Sequence, residues 1–211
     1  IVYTKDTHLT TGILATKYLL PLLTDRGRGD LAYELAAQDT YPSWGYMIRR
    51  GATTLWERWQ EKTGPSMNSH NHPMFGSVDA WFYQALAGIR PDPDQPGYRH
   101  ILVQPQMVRD LNWASGSIET PYGPAASRWE RTPTTISLEL TVPAGCRATI
   151  YLPKLPYMRQ VSLQEGGRPI WQAGQYQPGV AGVHGVKETP REFLIETGSG
   201  QYHFVLAEET M

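Results

Sequence analysis

Hydrophobic residues recur at two different spacings along the chain, and the spacing changes near residue 90. Before that point they lie three or four residues apart, which is typical of helices. The first group predicts a helix that is buried on much of its surface and contains Ile13, Leu14, Tyr18, Leu19 and Leu22. Three more helices are predicted, with an N-cap at Asp30, a start at Thr53 or Thr54, and a cap at Ser77.

Beyond a cluster of proline and glycine at residues 91–97, apolar and polar residues alternate, which is typical of strands. Residues 136–142 alternate in this way, and Pro143-Ala144-Gly145 predicts a hairpin turn into a strand over 148–152. Further strands are predicted around residues 118–120 and 202–206, so the second half indicates an antiparallel sandwich. Residues 166–190, rich in Gly, Pro and Gln, are predicted to be mostly loop.

These patterns predict an α+β protein with two domains. Residues 1–92 would form helices in antiparallel pairs, as in an arc of a helical barrel, and residues 93–211 an antiparallel β-sandwich.

Composition narrows the function classes. The 211 residues carry a formal net charge of −1, without the basic excess of a nucleic-acid binder. No apolar run reaches the roughly 18–20 residues that cross a bilayer, so no membrane partner is expected. A single cysteine, Cys146, excludes an internal disulfide and a cysteine-based zinc site, and no cofactor is predicted. The chain starts at Ile1 without a Met, so we expect it to belong to a longer protein.

Aromatic and acidic residues are concentrated between residues 41 and 83, which hold four of the seven tryptophans. Aromatic rings stack on the C–H face of a sugar, and a pair of carboxyl groups can hydrolyse a glycosidic bond. This composition is compatible with a sugar site. The alternative is that Trp56 and Trp59, three residues apart, are core residues of a helix.

Three segments in this region carry a more specific signal: Tyr-Pro-Ser-Trp-Gly-Tyr-Met at 41–47, Gly-Ala-Thr-Thr-Leu-Trp-Glu-Arg-Trp at 51–59, and Ser-His-Asn-His-Pro-Met-Phe-Gly-Ser at 69–77. With Thr-Pro-Tyr-Gly at 120–123 and Thr-Val-Pro-Ala-Gly at 141–145, they closely resemble bacterial α-L-rhamnosidases of glycoside hydrolase family 78. The resemblance is densest over residues 8–153.

The resemblance implies an (α/α)6 catalytic barrel followed by a C-terminal β-sandwich. It also implies hydrolysis of a terminal, non-reducing α-L-rhamnosyl unit with inversion. Glu57 corresponds to the family's general base, His72 is implied to line the sugar pocket, and Trp44 is a candidate for an aromatic wall. From the residues alone, Glu57 could be a first-turn helix carboxylate, and His70 with His72 could hold a metal or form a hydrogen-bonded loop.

The family's general acid lies upstream of these segments, and only about four helices of the barrel's twelve are expected here. We therefore expect the isolated chain to be inactive or nearly so. Its partners would be a rhamnosyl glycoside and the missing N-terminal part of the same enzyme. Uncovered helix faces would favour self-association.

Two other functions stay open at this stage. The sandwich could be a structural module that braces the barrel, which we favour, or a carbohydrate-binding one. We expect Trp113 and Trp129 to pack in the sandwich or at its interface with the helices. Exposed, coplanar rings among Trp113, Trp129 and Trp171 would instead favour binding. Alternatively, the parent could be a related (α/α)6 hydrolase that acts on another sugar, such as L-fucose.

Overall fold

The computed structural model describes residues 6–66, 69–158 and 160–208. The chain divides into two compact units, Ile1–Phe82 and Tyr83–Met211. The domain boundary placed between residues 92 and 93 on sequence grounds stays a prediction.

The described part of the first unit contains four helices: α1 (Ile13–Asp25), α2 (Gly29–Ala37), α3 (Trp44–Arg49) and α4 (Ser77–Trp81). Two 3-10 turns, Gly64–Ser66 and Pro73–Gly76, lie between α3 and α4, and the chain leaves α4 through a π-helical turn, Phe82–Leu86. None of the described helices is long and apolar enough to span a membrane.

The predicted helix caps are wrong in detail. The N-cap of α2 is Arg28, and Asp30 lies in the first turn instead, where its carboxylate accepts a 3.1 Å bond from Arg28 Nε. The N-cap of α4 is Gly76, because the preceding 3-10 turn runs directly into the helix. Among the four described α-helices, α3 has a side-chain N-cap: Ser43 Oγ accepts a 2.9 Å bond from the Tyr46 backbone N–H.

The helix predicted from Thr53 or Thr54 is absent, and residues 51–63 form turns and irregular backbone. Trp56 and Trp59 are both buried, so their three-residue spacing imitates a helix face. The backbone bonds of this segment run to another part of the chain: Glu57 N–H donates to Ser69 O at 3.1 Å. The reading of Glu57 as a helix-terminus carboxylate is therefore wrong.

Helix α1 is more exposed than its apolar content predicts. Leu14, Tyr18 and Leu22 lie four residues apart on one face, and each is more than half exposed, whereas Thr16 and Leu20 are its buried residues. The expectation of a helix buried on much of its surface does not hold for this chain by itself. The expected uncovered apolar helix face is present.

The second unit contains twelve described strands in two sheets. Their bounds are β1 (Ile89–Pro91), β2 (His100–Val103), β3 (Trp113–Thr120), β4 (Gly123–Arg131), β5 (Thr135–Val142), β6 (Arg147–Pro153), β7 (Val161–Glu165), β8 (Arg168–Gln172), β9 (Gln175–Tyr176), β10 (Val183–Glu188), β11 (Glu192–Thr197) and β12 (Gly200–Glu208). One sheet has the order β1-β2-β6-β11-β10 and the other the order β3-β4-β5-β12-β7-β8-β9. All described pairs are antiparallel except β2 with β6, which is parallel.

The predicted hairpin at Pro143–Gly145 is wrong. Strand β5 pairs with β4 and β12, whereas β6 pairs with β2 and β11 in the other sheet, so the turn carries the chain from one sheet to the other. The alternation of apolar residues requires only that both strands face a common core, and two opposed sheets satisfy that as well as a hairpin does. The predicted loop over 166–190 is also wrong, since it holds β8, β9 and β10.

The tryptophans of this unit differ in their surroundings. Trp129 is fully buried, and its Nε1–H donates to Leu86 O at 2.7 Å. Trp171 is half-buried and lies edge-on to Phe193, with the ring centroids 5.5 Å apart. Trp113 is 56% exposed, which corrects the expectation that it packs in the sandwich.

A polar network ties the start of this unit to its smaller sheet. His100 Nδ1 donates to Asp92 Oδ2 at 2.7 Å, and its Nε2 lies 2.8 Å from Thr149 Oγ1, which in turn donates to Glu196. A backbone bond from Asp94 and the bond from His100 hold the pKa of Asp92 below its ordinary value. The network therefore stabilises the ionised form of Asp92.

Because the pKa of Asp92 is lower in the folded chain, its ionised carboxylate contributes stability that is present above its unfolded pKa and lost as the pH falls through the folded pKa. We expect Asp92→Asn to lower the melting temperature near neutral pH. The difference from wild type should shrink from about pH 7 to about pH 3. Asp110→Asn, at an exposed carboxylate, is the control. A deficit that is equal at both pH values would contradict the assignment.

Candidate active site

Two of the three motif segments are joined by backbone hydrogen bonds in the first unit. His72 N–H donates to Leu55 O at 2.8 Å, and Glu57 N–H donates to Ser69 O at 3.1 Å. The Thr54 hydroxyl also donates to His70 O. This short ladder holds the segment of Glu57 beside the segment of His72 without any regular secondary structure.

A cluster of aromatic rings packs against the segments that carry Glu57 and His72. The rings of Trp59 and Phe75 are stacked with centroids 3.8 Å apart, and Trp44 meets Trp59 edge-on at 5.2 Å. Both indole N–H groups are bonded to backbone: Trp44 Nε1 donates to Phe75 O at 3.0 Å and Trp59 Nε1 to Thr11 O at 2.8 Å. Trp56 and Trp59 are both buried, so they anchor the backbone on either side of Glu57.

A cavity of about 530 Å³ opens beside this cluster. Glu57 lines it together with Arg58 and three aromatic residues, Tyr41, Trp59 and Phe75. Its size is within the range of small-molecule sites, and it combines aromatic surface with one carboxylate. The arrangement can therefore hold a small polar ligand against aromatic rings and present a proton acceptor to it.

The other two predicted site residues are near this cavity without lining it in the described chain. His72 is half-buried and precedes the turn Pro73–Gly76, where its Nδ1 accepts a 3.4 Å bond from Met74 N–H. Trp44 is buried, with its ring against Trp59. The aromatic residues that line the cavity are Tyr41, Trp59 and Phe75.

Sequence reasoning missed Tyr41 and Trp59 as lining residues, although both lie in the motif segments. The spacing of Trp59 predicts a core residue, and the structure shows it both buried and lining the cavity. Tyr41 is exposed and packs edge-on against Tyr46 at 5.4 Å. The available signal is that Trp59 shares its motif segment with Glu57 and that Tyr41 begins the segment at 41–47.

His70 belongs to a hydrogen-bonded loop. Its Nε2 bonds to Lys62 O at 2.9 Å, and its ring lies 5.5 Å from that of Trp56. Across residues 6–66, 69–158 and 160–208, no three His, Cys, Asp or Glu side chains are grouped so that they could hold a metal ion.

Ion pairs link helix α3 to its surroundings. Arg50 Nε donates to Glu61 Oε2 at 2.5 Å, and this bond raises the pKa of the guanidinium above its ordinary value. Arg49 pairs with Asp39. Both pairs are substantially exposed, so they orient the loop ends more than they stabilise the fold.

Gly45 allows α3 to pack closely against the preceding loop. A Cβ at this position would lie 2.4 Å from Gln38 O and 2.8 Å from Asp39 Cα, and both are backbone atoms that cannot turn away. The glycine of the Trp-Gly-Tyr motif is thus required by packing next to Trp44.

We expect Gly45→Ala to destabilise the chain by about 1–3 kcal/mol because it forces backbone apart in a packed region. The measurement is urea unfolding monitored by tryptophan fluorescence. Gly185→Ala is the matched control, since nothing lies within 4 Å of its added Cβ. Equal stability of the two variants would refute the packing argument.

The comparisons with known proteins agree with this architecture. Residues 1–86 match the bacterial alpha-L-rhamnosidase 6 hairpin glycosidase domain, and residues 88–167 match the bacterial alpha-L-rhamnosidase C-terminal domain. An alpha-L-rhamnosidase of Alteromonas sp. (strain LOR) is 39% identical over 188 residues, which cover 84% of this chain and 20% of that protein.

Two solved structures are similar over nearly the whole chain. The alpha-L-rhamnosidase from Dictyoglumus thermophilum has a TM-score of 0.86 and 40% identity, covering 98% of this chain and 22% of that one. The Streptomyces avermitilis alpha-L-rhamnosidase complexed with L-rhamnose has a TM-score of 0.81 and 34% identity, covering 97% and 18%.

A helical unit that matches a glycosidase-domain model, followed by a β-sandwich that matches a C-terminal-domain model, is the arrangement of the C-terminal part of a glycoside hydrolase. The chain belongs to the bacterial α-L-rhamnosidase family and corresponds to its C-terminal part. It spans about a fifth of the length of these relatives. The resemblance found in the motifs and the α+β, two-domain fold class are confirmed.

Proposed function

We propose that this chain is the C-terminal portion of an inverting glycoside hydrolase that removes terminal, non-reducing α-L-rhamnose, and that Glu57 is its general base. The observation that carries the proposal is the placement of Glu57 in the cavity lined by Tyr41 and Trp59. The Streptomyces avermitilis relative, whose structure holds L-rhamnose, supports the choice of sugar.

In this mechanism the Glu57 carboxylate takes a proton from a water molecule as that water attacks the anomeric carbon. The glycosidic C–O bond breaks on the opposite face of the ring, and the departing oxygen receives a proton from a general acid outside this chain. Inversion requires room for the water, so the two carboxyl groups are expected roughly 6.5–9.5 Å apart. The rings of Tyr41 and Trp59 would pack on the C–H surface of the sugar.

The other two predicted residues have distinct parts in the proposal. His72 would border the bound sugar from the neighbouring segment, which the bond from its N–H to Leu55 O holds in place. Trp44 would act through Trp59, because its edge supports the ring that lines the cavity.

The chain alone would be inactive or nearly so, since it supplies a base without the acid. The exposed face of Leu14, Tyr18 and Leu22 supports this, because an uncovered apolar stripe of three side chains is suited to further helices. We propose that the N-terminal part of the same enzyme covers this stripe. In its absence, a second copy of the chain is the competing occupant.

Glu57→Gln should be tested where a general acid is available. We would graft this chain in place of the corresponding C-terminal part of the Dictyoglumus thermophilum rhamnosidase, to which it is 40% identical. Release of nitrophenol from para-nitrophenyl α-L-rhamnoside should fall about 10²–10⁴-fold in kcat with KM little changed, because the amide cannot accept the proton of water.

Glu61→Gln is the matched control, since this carboxylate is in the same segment and is paired with Arg50. A Glu57→Gln graft that turns over like the Glu61→Gln graft would refute the base assignment. The ungrafted chain should show no turnover. If it did turn over the substrate, and still did so with Glu57→Gln, the proposed dependence of turnover on Glu57 would be refuted.

His72→Ala in the same graft should weaken the inhibition by free L-rhamnose, because one polar contact to the sugar is lost. The loss of one hydrogen bond predicts an inhibition constant raised about three- to tenfold. His70→Ala, in the same loop but bonded to Lys62, is the control. An unchanged inhibition constant for His72→Ala would remove it from the pocket.

A further inference from the structure

The outer face of the seven-stranded sheet carries an ordered set of polar side chains in the second unit. One cross-strand row runs from Ser115 through Arg128 and Glu139 to His203. The adjacent row runs from Ser117 through Ala126, its one apolar member, and Thr141 to Gln201. Because cross-strand partners point to the same side of a sheet, both rows face away from the core.

Two exposed aromatic side chains flank these rows in the strand direction, one near each end of β3. Trp113 begins β3 and is 56% exposed, and Tyr122, in the turn after β3, is 41% exposed. Strand β3, which separates them, is about 23 Å long at the usual rise per residue. We call the surface between Trp113 and Tyr122 the outer groove.

The surface is concave over the two rows and again beside Tyr122. A cavity of about 750 Å³ lies over the two rows, and a second cavity of about 410 Å³ lies beside Tyr122. Both are lined by Thr141 and Gln201, so they adjoin. Trp113 lines neither cavity and lies beside Arg128, at the edge of the larger one. An extended ligand could therefore contact both rows and Tyr122 at once.

Neighbouring charged groups orient the aromatic rings and polar side chains of the groove. The guanidinium of Arg128 lies 5.7 Å from the centroid of Trp113, and that of Arg99 lies 5.8 Å from the centroid of Tyr122. Arg128 is also paired with Glu130. His203 Nε2 bonds to Ser137 Oγ, outside the two rows, at 2.9 Å, and this bond fixes the imidazole.

The chemical groups of the outer groove indicate the class of ligand that it would bind. Hydroxyl, amide and imidazole groups between exposed rings suit a molecule with alternating hydroxyl and C–H surfaces. The carboxylates of Glu139 and Glu165 line the larger cavity, and the charge of Arg128 is offset by Glu130, so anionic polymers are disfavoured. The core of a protein–protein interface is depleted of charged residues, whereas Arg128, Glu139 and Glu165 line this cavity, so a protein partner is disfavoured.

We propose that the outer groove binds a neutral oligosaccharide chain, at a site separate from the Glu57 cavity. Trp113 and Tyr122 stack on sugar rings, and the side chains of the two rows bond to hydroxyl groups between them. The proposal does not depend on the activity proposed above, because no residue of the groove belongs to the first unit.

The test is a titration of the full ¹⁵N-labelled chain, followed by amide and indole NMR signals. The probes are cellohexaose, xylohexaose, mannohexaose and an α-1,2-linked L-rhamnose hexasaccharide, each to about 10 mM, a range that detects millimolar dissociation constants. At least one probe should shift the Trp113 indole signal and amides of residues 113–128. Its dissociation constant should rise about five- to tenfold in Trp113→Ala, because a stacking contact is lost.

Matched variants separate the groove from the Glu57 cavity. Trp113→Phe should recover most of the binding, since it restores a ring. Tyr157→Ala removes an exposed aromatic side chain of the same unit that lies outside the groove, and Glu57→Gln alters the other cavity; both should leave the dissociation constant unchanged. Since Trp113 is exposed, its variants are expected to fold, which the melting temperature checks.

Three results would overturn the proposal. One is the absence of shifts at residues 113–128 with all four probes. Another is equal binding by Trp113→Ala and Tyr157→Ala. The last is broadening of the groove signals with protein concentration alone, removed by Trp113→Ala, which would mean that a second copy of the chain occupies this face.

Discussion

The candidate active site depends on the stacking of Trp59 on Phe75. This contact holds residues 51–63, which have no regular secondary structure, against the first unit, with Trp44 behind it and its indole N–H on Phe75 O. The buried aromatic rings contribute packing, and their N–H groups take up backbone carbonyls that the irregular chain leaves without a helix partner. Glu57 can lie in a loop and still be rigidly placed, because the tryptophans on either side of it are fixed.

The two units use their tryptophans differently. In the first unit, buried indoles fix a loop that carries the candidate chemistry. In the second, Trp129 fills the core while Trp113 stays on the solvent side of its sheet. The exposed ring is unusual because packing does not require it there, and it lies beside ordered polar rows on the same face of the sheet. A catalytic portion and a glycan-holding surface in one chain would keep a polysaccharide substrate close to the enzyme.

The exposed apolar stripe of α1 can be related to the length of this chain, which is about a fifth of that of its relatives. Three large apolar side chains on one face cost stability when they face water, and a chain about a fifth of its relatives' length has fewer partners to cover them. The same lack of partners applies to the cavity, which holds one carboxylate where glycoside hydrolysis uses two. Under the proposed function, the exposed stripe and the single carboxylate would both be completed by the N-terminal part of the enzyme.

By itself, the sequence determined the fold class, the family and the segments that hold the candidate site. Periodicity is local, so α1, α2 and the alternation in β5 could be predicted. Only the tertiary structure decided that β5 and β6 belong to different sheets, that Trp56 and Trp59 anchor a loop, and that Tyr41 lines the cavity. The reason is that an apolar spacing records which residues are buried but not the partner that buries them. Those partners, Ser69 for the backbone of Glu57 and Phe75 for the ring of Trp59, come from distant parts of the chain.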